Sequence, residues 1–139
     1  IKASGVKNIY LELGAVCGHS AATHPEVCGY LMGQLIDAVG ADHVIWGTDS
    51  IWWGSPQWQI EAFRRFQIPE PLQEKFGYKP ISTRDRELIL GLNSARLFDI
   101  DVQAAHKAIP GDAMNQMKMA YQAAGEEPSI TQYGWIAAV

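Results

Sequence analysis

The sequence predicts an α/β fold in which two short apolar strands flank one amphipathic helix. The segment 8–13 (NIYLEL) alternates apolar and polar residues, which is typical of a strand with two unlike faces. The segment 43–48 (HVIWGT) is almost continuously apolar, as in a parallel strand buried on both faces. Between them, apolar residues recur at helical spacing: Val27, Leu31, Leu35, Ile36 and Val39. This order predicts a strand–helix unit leading directly into the next parallel strand.

Capping signals set the expected bounds of the helix between the strands. Thr23 is a candidate N-cap, Pro25 suits the first helical turn, and Glu26 could reach back to the cap. Gly40 is the expected C-terminal stop. The preceding segment, 14–23, is rich in small residues and is predicted to be a loop.

Beyond the second strand the sequence predicts mainly helices. A loop is expected over 50–56 and a helix over 57–66, which Pro69 and Pro71 end. Ser82 or Thr83 can cap a helix that runs to about Leu97. Its expected buried stripe is Leu88, Ile89, Leu92 and Ala95.

The C-terminal part of the chain predicts one further helix and an extended end. Asp112 can cap a helix that Gly125 stops, and residues 126–139 are expected to be extended. Its methionine-rich face (Met114, Met117, Tyr121, Ala124) is interpreted as packing, because methionine commonly fills gaps in cores.

The composition is that of an ordinary globular domain. The 139 residues are 47% hydrophobic and 19% charged, with a formal net charge of −4 and five tryptophans. Scattered Lys and Arg without a basic patch disfavour nucleic-acid binding. No apolar stretch approaches the roughly 18 residues of a membrane span. The sequence therefore predicts a soluble domain and names no compartment.

Asp49 is the strongest candidate for chemistry. It follows the second strand in the run Gly47-Thr48-Asp49, and in strand–helix barrels the carboxyl ends of the strands carry the catalytic groups. A carboxylate there can ligate a metal ion or accept a proton from water. An Asp that caps the following turn fits the spacing equally well.

Three further residues are candidates for substrate contact. Trp52 and Trp53 follow Asp49 directly and could line the mouth of a pocket, although either could instead cover the end of the core. His19 follows the first strand and is a separate candidate. Glu12, within that strand, could face a barrel interior, but a paired structural carboxylate is favoured.

Cys17, His19, His24 and Cys28 share the residue types of a zinc site. Structural zinc sites use close ligand pairs with a defined gap between them. The helix expected to begin at Pro25 would separate Cys28 from Cys17. Two free thiols are therefore expected rather than a zinc site.

Three segments together resemble one enzyme family: KNIYLELG, HVIWGTDSIWWGSPQWQIEAFRRFQIP and ILGLNSARLFDID. They resemble the C-terminal part of amidohydrolase-related, metal-dependent hydrolases, a family that also contains decarboxylases similar to aminocarboxymuconate-semialdehyde decarboxylase. The resemblance implies the C-terminal portion of a (β/α)8 TIM-type barrel over 1–101, followed by a helical tail over 102–139. The two strands would be the seventh and eighth of the barrel.

The resemblance also implies a site. Asp49 matches the aspartate that ends the last barrel strand, ligates the metal and helps to activate the attacking water. The implied cofactor is a divalent metal, with zinc expected. The family's His-x-His pair is absent, and a complete barrel needs about 250 residues. The chain is therefore expected to be a fragment, inactive alone, of a hydrolase that acts on an amide, ester or lactone.

Two other functions remain open at this stage. A decarboxylase on the same scaffold would use the same aspartate. A non-catalytic assembly module could pair its exposed strand edges with a second copy or with a partner chain that completes the barrel. The expected ligand in the enzymatic hypotheses is a small-molecule substrate.

Overall fold

The computed structural model describes residues 4–53 and 56–125, apart from the side chains of residues 51 and 53. Within this part, two short parallel strands are packed against a layer of helices. The elements in chain order are β1 (Leu11–Leu13), α1 (Ala15–Thr23), α2 (Pro25–Val39), β2 (Val44–Trp46), α3 (Ser50–Trp53), α4 (Pro56–Arg65), α5 (Glu70–Phe76), α6 (Thr83–Glu87), α7 (Asn93–Leu97), α8 (Val102–Ala108) and α9 (Ala113–Ala123).

The predicted strand–helix–strand unit is confirmed, with shorter strands than expected. β1 pairs with β2 in parallel, Leu11 opposite Val44 and Leu13 opposite Trp46. Gly40 ends α2 with φ +84°, a left-handed conformation that favours glycine. Each strand has only one strand neighbour among the described residues.

The prediction of a loop over 14–23 is wrong, since this segment forms α1. The segment lacks a regular apolar stripe, so its helical state depends on tertiary contacts. Cys17 and Ser20 are buried against the core, and Cys17 belongs to the main apolar cluster. Thr23 does not cap α2, because it is the last residue of α1 and its hydroxyl donates to the His19 carbonyl.

Two expected loops also contain helix. Ser50–Trp53 forms the single turn α3, whereas a loop was predicted over 50–56. Pro69 and Pro71 end the preceding helix as expected, but they also start α5, with Pro69 at its N-cap. Proline is tolerated in a first turn because the N–H groups there lack partners within the helix.

One continuous helix covers 83–97, as predicted, with a π-helical turn at Leu88–Leu92 between α6 and α7. Ser82 and Asp85 form a reciprocal capping box at its start. The fully buried residues on its inner face are Ile89 and Asn93, whereas Leu88, Leu92 and Ala95 are half-buried. A buried asparagine therefore replaces part of the expected apolar stripe.

The core lies on one side of the two-stranded sheet. It joins the strands to α2, α4, the segment 66–81 and the π turn through a cluster of Leu13, Cys17, Cys28, Met32, Val44, Phe63, Phe66, Ile68, Ile81 and Ile89. Trp46 extends it, with its ring 5.2 Å from that of Phe63. None of the helices in the described ranges is long and apolar enough to cross a membrane.

The C-terminal helices differ from this packed region. Asp101 caps α8 and Asp112 caps α9 as a side-chain acceptor. The packing interpretation of the methionine-rich face is wrong, since Met114 is 70% and Met117 is 66% exposed. The predicted extended segment 126–139 lies outside the described residues.

Candidate functional site

The carboxyl ends of β1 and β2 meet at one end of the sheet. Leu13 and Trp46 are the last paired residues, and each is followed directly by a glycine, Gly14 and Gly47. This end of a parallel sheet is where ligands bind in strand–helix folds. The residues after the two glycines therefore form the candidate site.

Asp49 lies at this end and contacts the chain that leaves β1. Its Oδ2 accepts a hydrogen bond of 2.9 Å from the backbone N–H of Ala15, the first residue of α1. Its backbone is left-handed, with φ +46°, a conformation that Asp tolerates better than most residues. No other hydrogen bond or ion pair engages the carboxylate among the described residues.

This hydrogen bond tests one of the two interpretations of Asp49, that of an aspartate that caps the turn after it. The expectation of an Asp that caps its following turn is not met, because the side chain caps a helix 34 residues earlier in the chain. Thr48 instead takes the local role, since its hydroxyl accepts a hydrogen bond from the N–H of Ser50. Asp49 remains exposed, with one oxygen held and the other without a partner in the described ranges.

Glycines give the two carboxylates of this end their space. A Cβ on Gly14 would lie 2.9 Å from Asp49 Oδ2. A Cβ on Gly47 would collide with the carboxylate of Glu12. Each strand end therefore lacks a side chain where a carboxylate from the other strand lies.

Glu12 is exposed and lies over Gly47. The favoured interpretation, a paired structural carboxylate, is not supported, since no cation partners Glu12 in the part of the chain that the structure describes. The sheet register places it beside Ile45, while Leu13 and Val44 are buried in the core. Glu12 and the core residues therefore lie on opposite faces of the sheet.

The predicted substrate-contact residues lie near this end in sequence, with different surroundings. Trp52 is 77% exposed in α3, and its backbone N–H donates to the Asp49 backbone carbonyl at 3.1 Å. The side chain of Trp53 lies outside the described residues. His19 is half-buried in α1, one helical turn after Ala15. Their roles in substrate binding stay predictions.

Cys17 and Cys28 are free thiols buried in the core, as the sequence analysis expected. Cys17 Sγ lies 3.7 Å from Met32 Sδ. A hydrogen bond to Cys28, together with burial, raises the pKa of Cys17, and the same hydrogen bond lowers the pKa of Cys28. Of the two histidines in the same set, His24 is exposed and hydrogen-bonds to Thr23, and His19 is half-buried.

A side-chain amide, that of Gln59, is buried behind this end of the sheet. Gln59 of α4 is 2% exposed, and neither atom of its amide has a hydrogen-bond partner among the described residues. A Cβ added to Gly18 would lie 2.9 Å from Gln59 Oε1. Gln59 also lines a cavity of about 10 Å³, close to the volume that holds one water molecule.

The described residues do not complete a metal centre. No group of three or more His, Cys, Asp or Glu side chains within 4–53 and 56–125 could hold a metal ion. A larger cavity, of about 320 Å³, is lined by Lys7, Asp42 and His43 among others. His43 immediately precedes β2, so this cavity lies at the opposite end of the strands from Asp49.

Asn93 and Arg96 connect α7 to the start of β2. The buried Asn93 Nδ2 donates to the carbonyl oxygens of Ala41 and Val44, at 2.8 and 2.7 Å, and Arg96 donates to the Asp42 carbonyl. In the sequence, both residues entered only through the family resemblance of the segment ILGLNSARLFDID. The signal was Asn93 itself, which lies four residues after Ile89 on an otherwise apolar stripe.

Comparison with known proteins identifies the family. The family model described as amidohydrolase matches residues 2–100. No curated protein and no solved structure matched the chain. The matched range contains both strands, Asp49 and the helix with Asn93. The chain therefore belongs to the amidohydrolase family.

Proposed function

We propose that the chain forms the C-terminal portion of a metal-dependent hydrolase with a (β/α)8 barrel. The carrying observation is the position of Asp49 at the carboxyl end of β2, with one carboxylate oxygen held by Ala15 and the other unengaged among the described residues. Family membership and the parallel pairing of β1 with β2 support the same barrel.

Asp49 fits as one ligand of a metal site rather than as a complete site. Carboxylate oxygen is a ligand for zinc and for harder divalent ions, and the unengaged oxygen is available to such an ion. A divalent metal, with zinc expected, would supply acidity to a bound water. The remaining ligands would come from other strands of the barrel, since no three His, Cys, Asp or Glu side chains among the described residues could hold a metal ion together.

The proposed role of Asp49 itself is to hold the attacking water and to accept its proton. An exposed carboxylate that is fixed through one oxygen can perform both tasks without reorganisation. The bond cleaved would be an amide, ester or lactone. Trp52, Trp53 and His19 are proposed to contact the substrate from α3 and α1. A decarboxylase would place the same aspartate beside a carboxylate substrate, and only the product distinguishes the two reactions.

One observation favours a second candidate, an assembly module. The described sheet has only two strands, so the outer edges of β1 and β2 have no strand neighbours within the described ranges. Unpaired edges bind other strands readily. A partner chain, or a second copy of this chain, could complete the barrel through these edges.

Metal binding and turnover test the proposal. Zinc and manganese affinity would be measured for this chain and for the complete enzyme that contains it, followed by assays on p-nitrophenyl esters, anilides and lactones. We expect weak metal binding and no turnover from the chain alone. In the complete enzyme, Asp49→Asn should lower turnover about 1,000-fold, because it removes both the ligand charge and the base.

The matched control is Asp42→Asn, which removes a carboxylate at the opposite end of β2. It should leave turnover unchanged. Wild-type turnover in Asp49→Asn would overturn the catalytic assignment. Metal-dependent turnover by the 139-residue chain alone would show that the additional strands are not required.

A further inference from the structure

We propose that the amino end of α1 is the positioning element for Asp49, with the Ala15 N–H holding Oδ2 and Gly14 providing the space for it. This inference rests on the proposed function, because it assigns the geometry of the same carboxylate. It adds two residues that the sequence analysis did not consider, in a segment that was expected to be a loop.

The hydrogen bond is the first argument. The N–H groups in the first turn of a helix have no partner within that helix. A side chain at the N-cap normally satisfies one of them, but the N-cap here is Gly14, which has none. Asp49 Oδ2 takes this role at 2.9 Å from Ala15 N.

The space at Gly14 is the second argument. Its φ of −115° lies outside the left-handed region that favours glycine. What excludes a side chain is the carboxylate, because a Cβ would lie 2.9 Å from Asp49 Oδ2 and 3.7 Å from Cγ. Gly14 is therefore needed for the position of Asp49 rather than for the backbone turn.

The two carboxylate oxygens of Asp49 therefore have different roles. Oδ2 is held by the Ala15 N–H, and Oδ1 has no hydrogen-bond partner among the described residues, which leaves it available to a metal ion or water. The left-handed backbone at Asp49 helps to aim the side chain at a helix that belongs to the preceding strand–helix unit. The contact also links the carboxyl ends of the two strands. The distance between those two strand ends therefore sets the position of the Asp49 carboxylate.

Amide hydrogen exchange at Ala15 tests the contact in this chain. Exchange should be about tenfold faster in Asp49→Gly, which keeps the left-handed backbone but removes the carboxylate. It should also be faster in Gly14→Ala. The control Gly91→Ala places a methyl group where no atom lies within 4 Å, and it should leave exchange unchanged. Equal exchange in wild type and Asp49→Gly would overturn the inference.

The positioning role is tested in the complete enzyme with Gly14→Ser. Serine restores an N-cap side chain to α1, so helix stability is kept, while its Cβ displaces Asp49. We expect zinc affinity to fall about 10- to 100-fold and kcat to fall with KM little changed, as when groups that orient a metal ligand are removed. The melting temperature should stay close to that of the wild type, which a purely structural role would not predict.

The two proposals fail in different ways. If Asp49→Asn abolishes turnover but Gly14→Ser keeps wild-type zinc affinity and kcat, the positioning inference is wrong and the proposed function stands. If Asp49→Asn keeps turnover while Asp49→Gly speeds exchange at Ala15, Asp49 is only a helix cap. That result would overturn the proposed function. It would also overturn the proposal that α1 positions Asp49 for catalysis.

Discussion

The two faces of the β1–β2 sheet differ in almost every property. On one face, Leu13 and Val44 are 1% and 0% exposed and pack with Met32 and Ile89 in the core. On the other, Glu12 is exposed and has no cation partner among the described residues. The difference indicates that contacts stabilising the fold concentrate on the helix-covered face, while the exposed carboxylates of Glu12 and Asp49 lie on the other face and at a strand end.

This comparison makes quantitative predictions for the free energy of unfolding of the 139-residue chain. Substitutions on the covered side should change stability strongly, because they alter close-packed or hydrogen-bonded buried groups. Asp49→Asn should change it little, because asparagine keeps an oxygen that can accept from Ala15. Four measurements by chemical denaturation test this separation.

Asn93→Leu should give the largest effect, a loss of about 2–4 kcal/mol. The side chain is fully buried and donates to the carbonyls of Ala41 and Val44; leucine would remove both hydrogen bonds and leave the Ala41 carbonyl with its bond from the Val44 N–H. Asn115→Leu is the matched control, because its Nδ2 also donates to a backbone carbonyl, that of Pro110, but from a half-buried side chain in a solvent-exposed hydrogen bond. Equal losses in the two variants would show that burial does not set the cost.

Gly33→Ala should lower the free energy of unfolding by about 1–3 kcal/mol. A Cβ on Gly33 of α2 would overlap the ring of Tyr78, so the segment 66–81 would have to move away from α2. Gly91→Ala is the control, because nothing lies within 4 Å of its added Cβ, and it should be neutral or slightly stabilising. A neutral Gly33→Ala would mean that this segment packs loosely.

Gln59→Leu should raise stability by about 1 kcal/mol. The amide of Gln59 is buried without partners among the described residues, so replacing it by an apolar group removes a desolvation penalty. The exposed Gln57→Leu serves as the comparison and should not stabilise the chain. Destabilisation by Gln59→Leu would instead indicate that the amide binds a water molecule in the adjacent cavity.

Asp49→Asn should have the smallest effect, a change within about 0.5 kcal/mol. Asparagine tolerates a left-handed backbone and keeps an oxygen that can accept the hydrogen bond from Ala15. Together with a large loss of turnover in the complete enzyme, this result would separate function from stability. A loss comparable with that of Asn93→Leu would make Asp49 a structural residue and remove the distinction between the two regions.

The sequence by itself determined the elements whose signals are local. The apolar periodicity and Gly40 defined α2, the candidate caps Ser82 and Thr83 indicated the start of the helix over 83–97, and Asp112 defined the start of α9. The Gly-Thr-Asp run also pointed to the strand end where Asp49 lies. These signals act within a few residues of one another, so they survive without knowledge of the fold.

Only the tertiary structure decided the features that depend on distant partners. The segment 14–23 is a helix because Asp49, 34 residues later, caps it and because Cys17 and Ser20 pack into the core. Asn93 is buried because carbonyls about 50 residues earlier accept its hydrogen bonds. Periodicity and local propensity carry no information about such partners. The sequence therefore identified Asp49 as the candidate site residue, but it did not reveal Ala15 and Gly14, which contact its carboxylate.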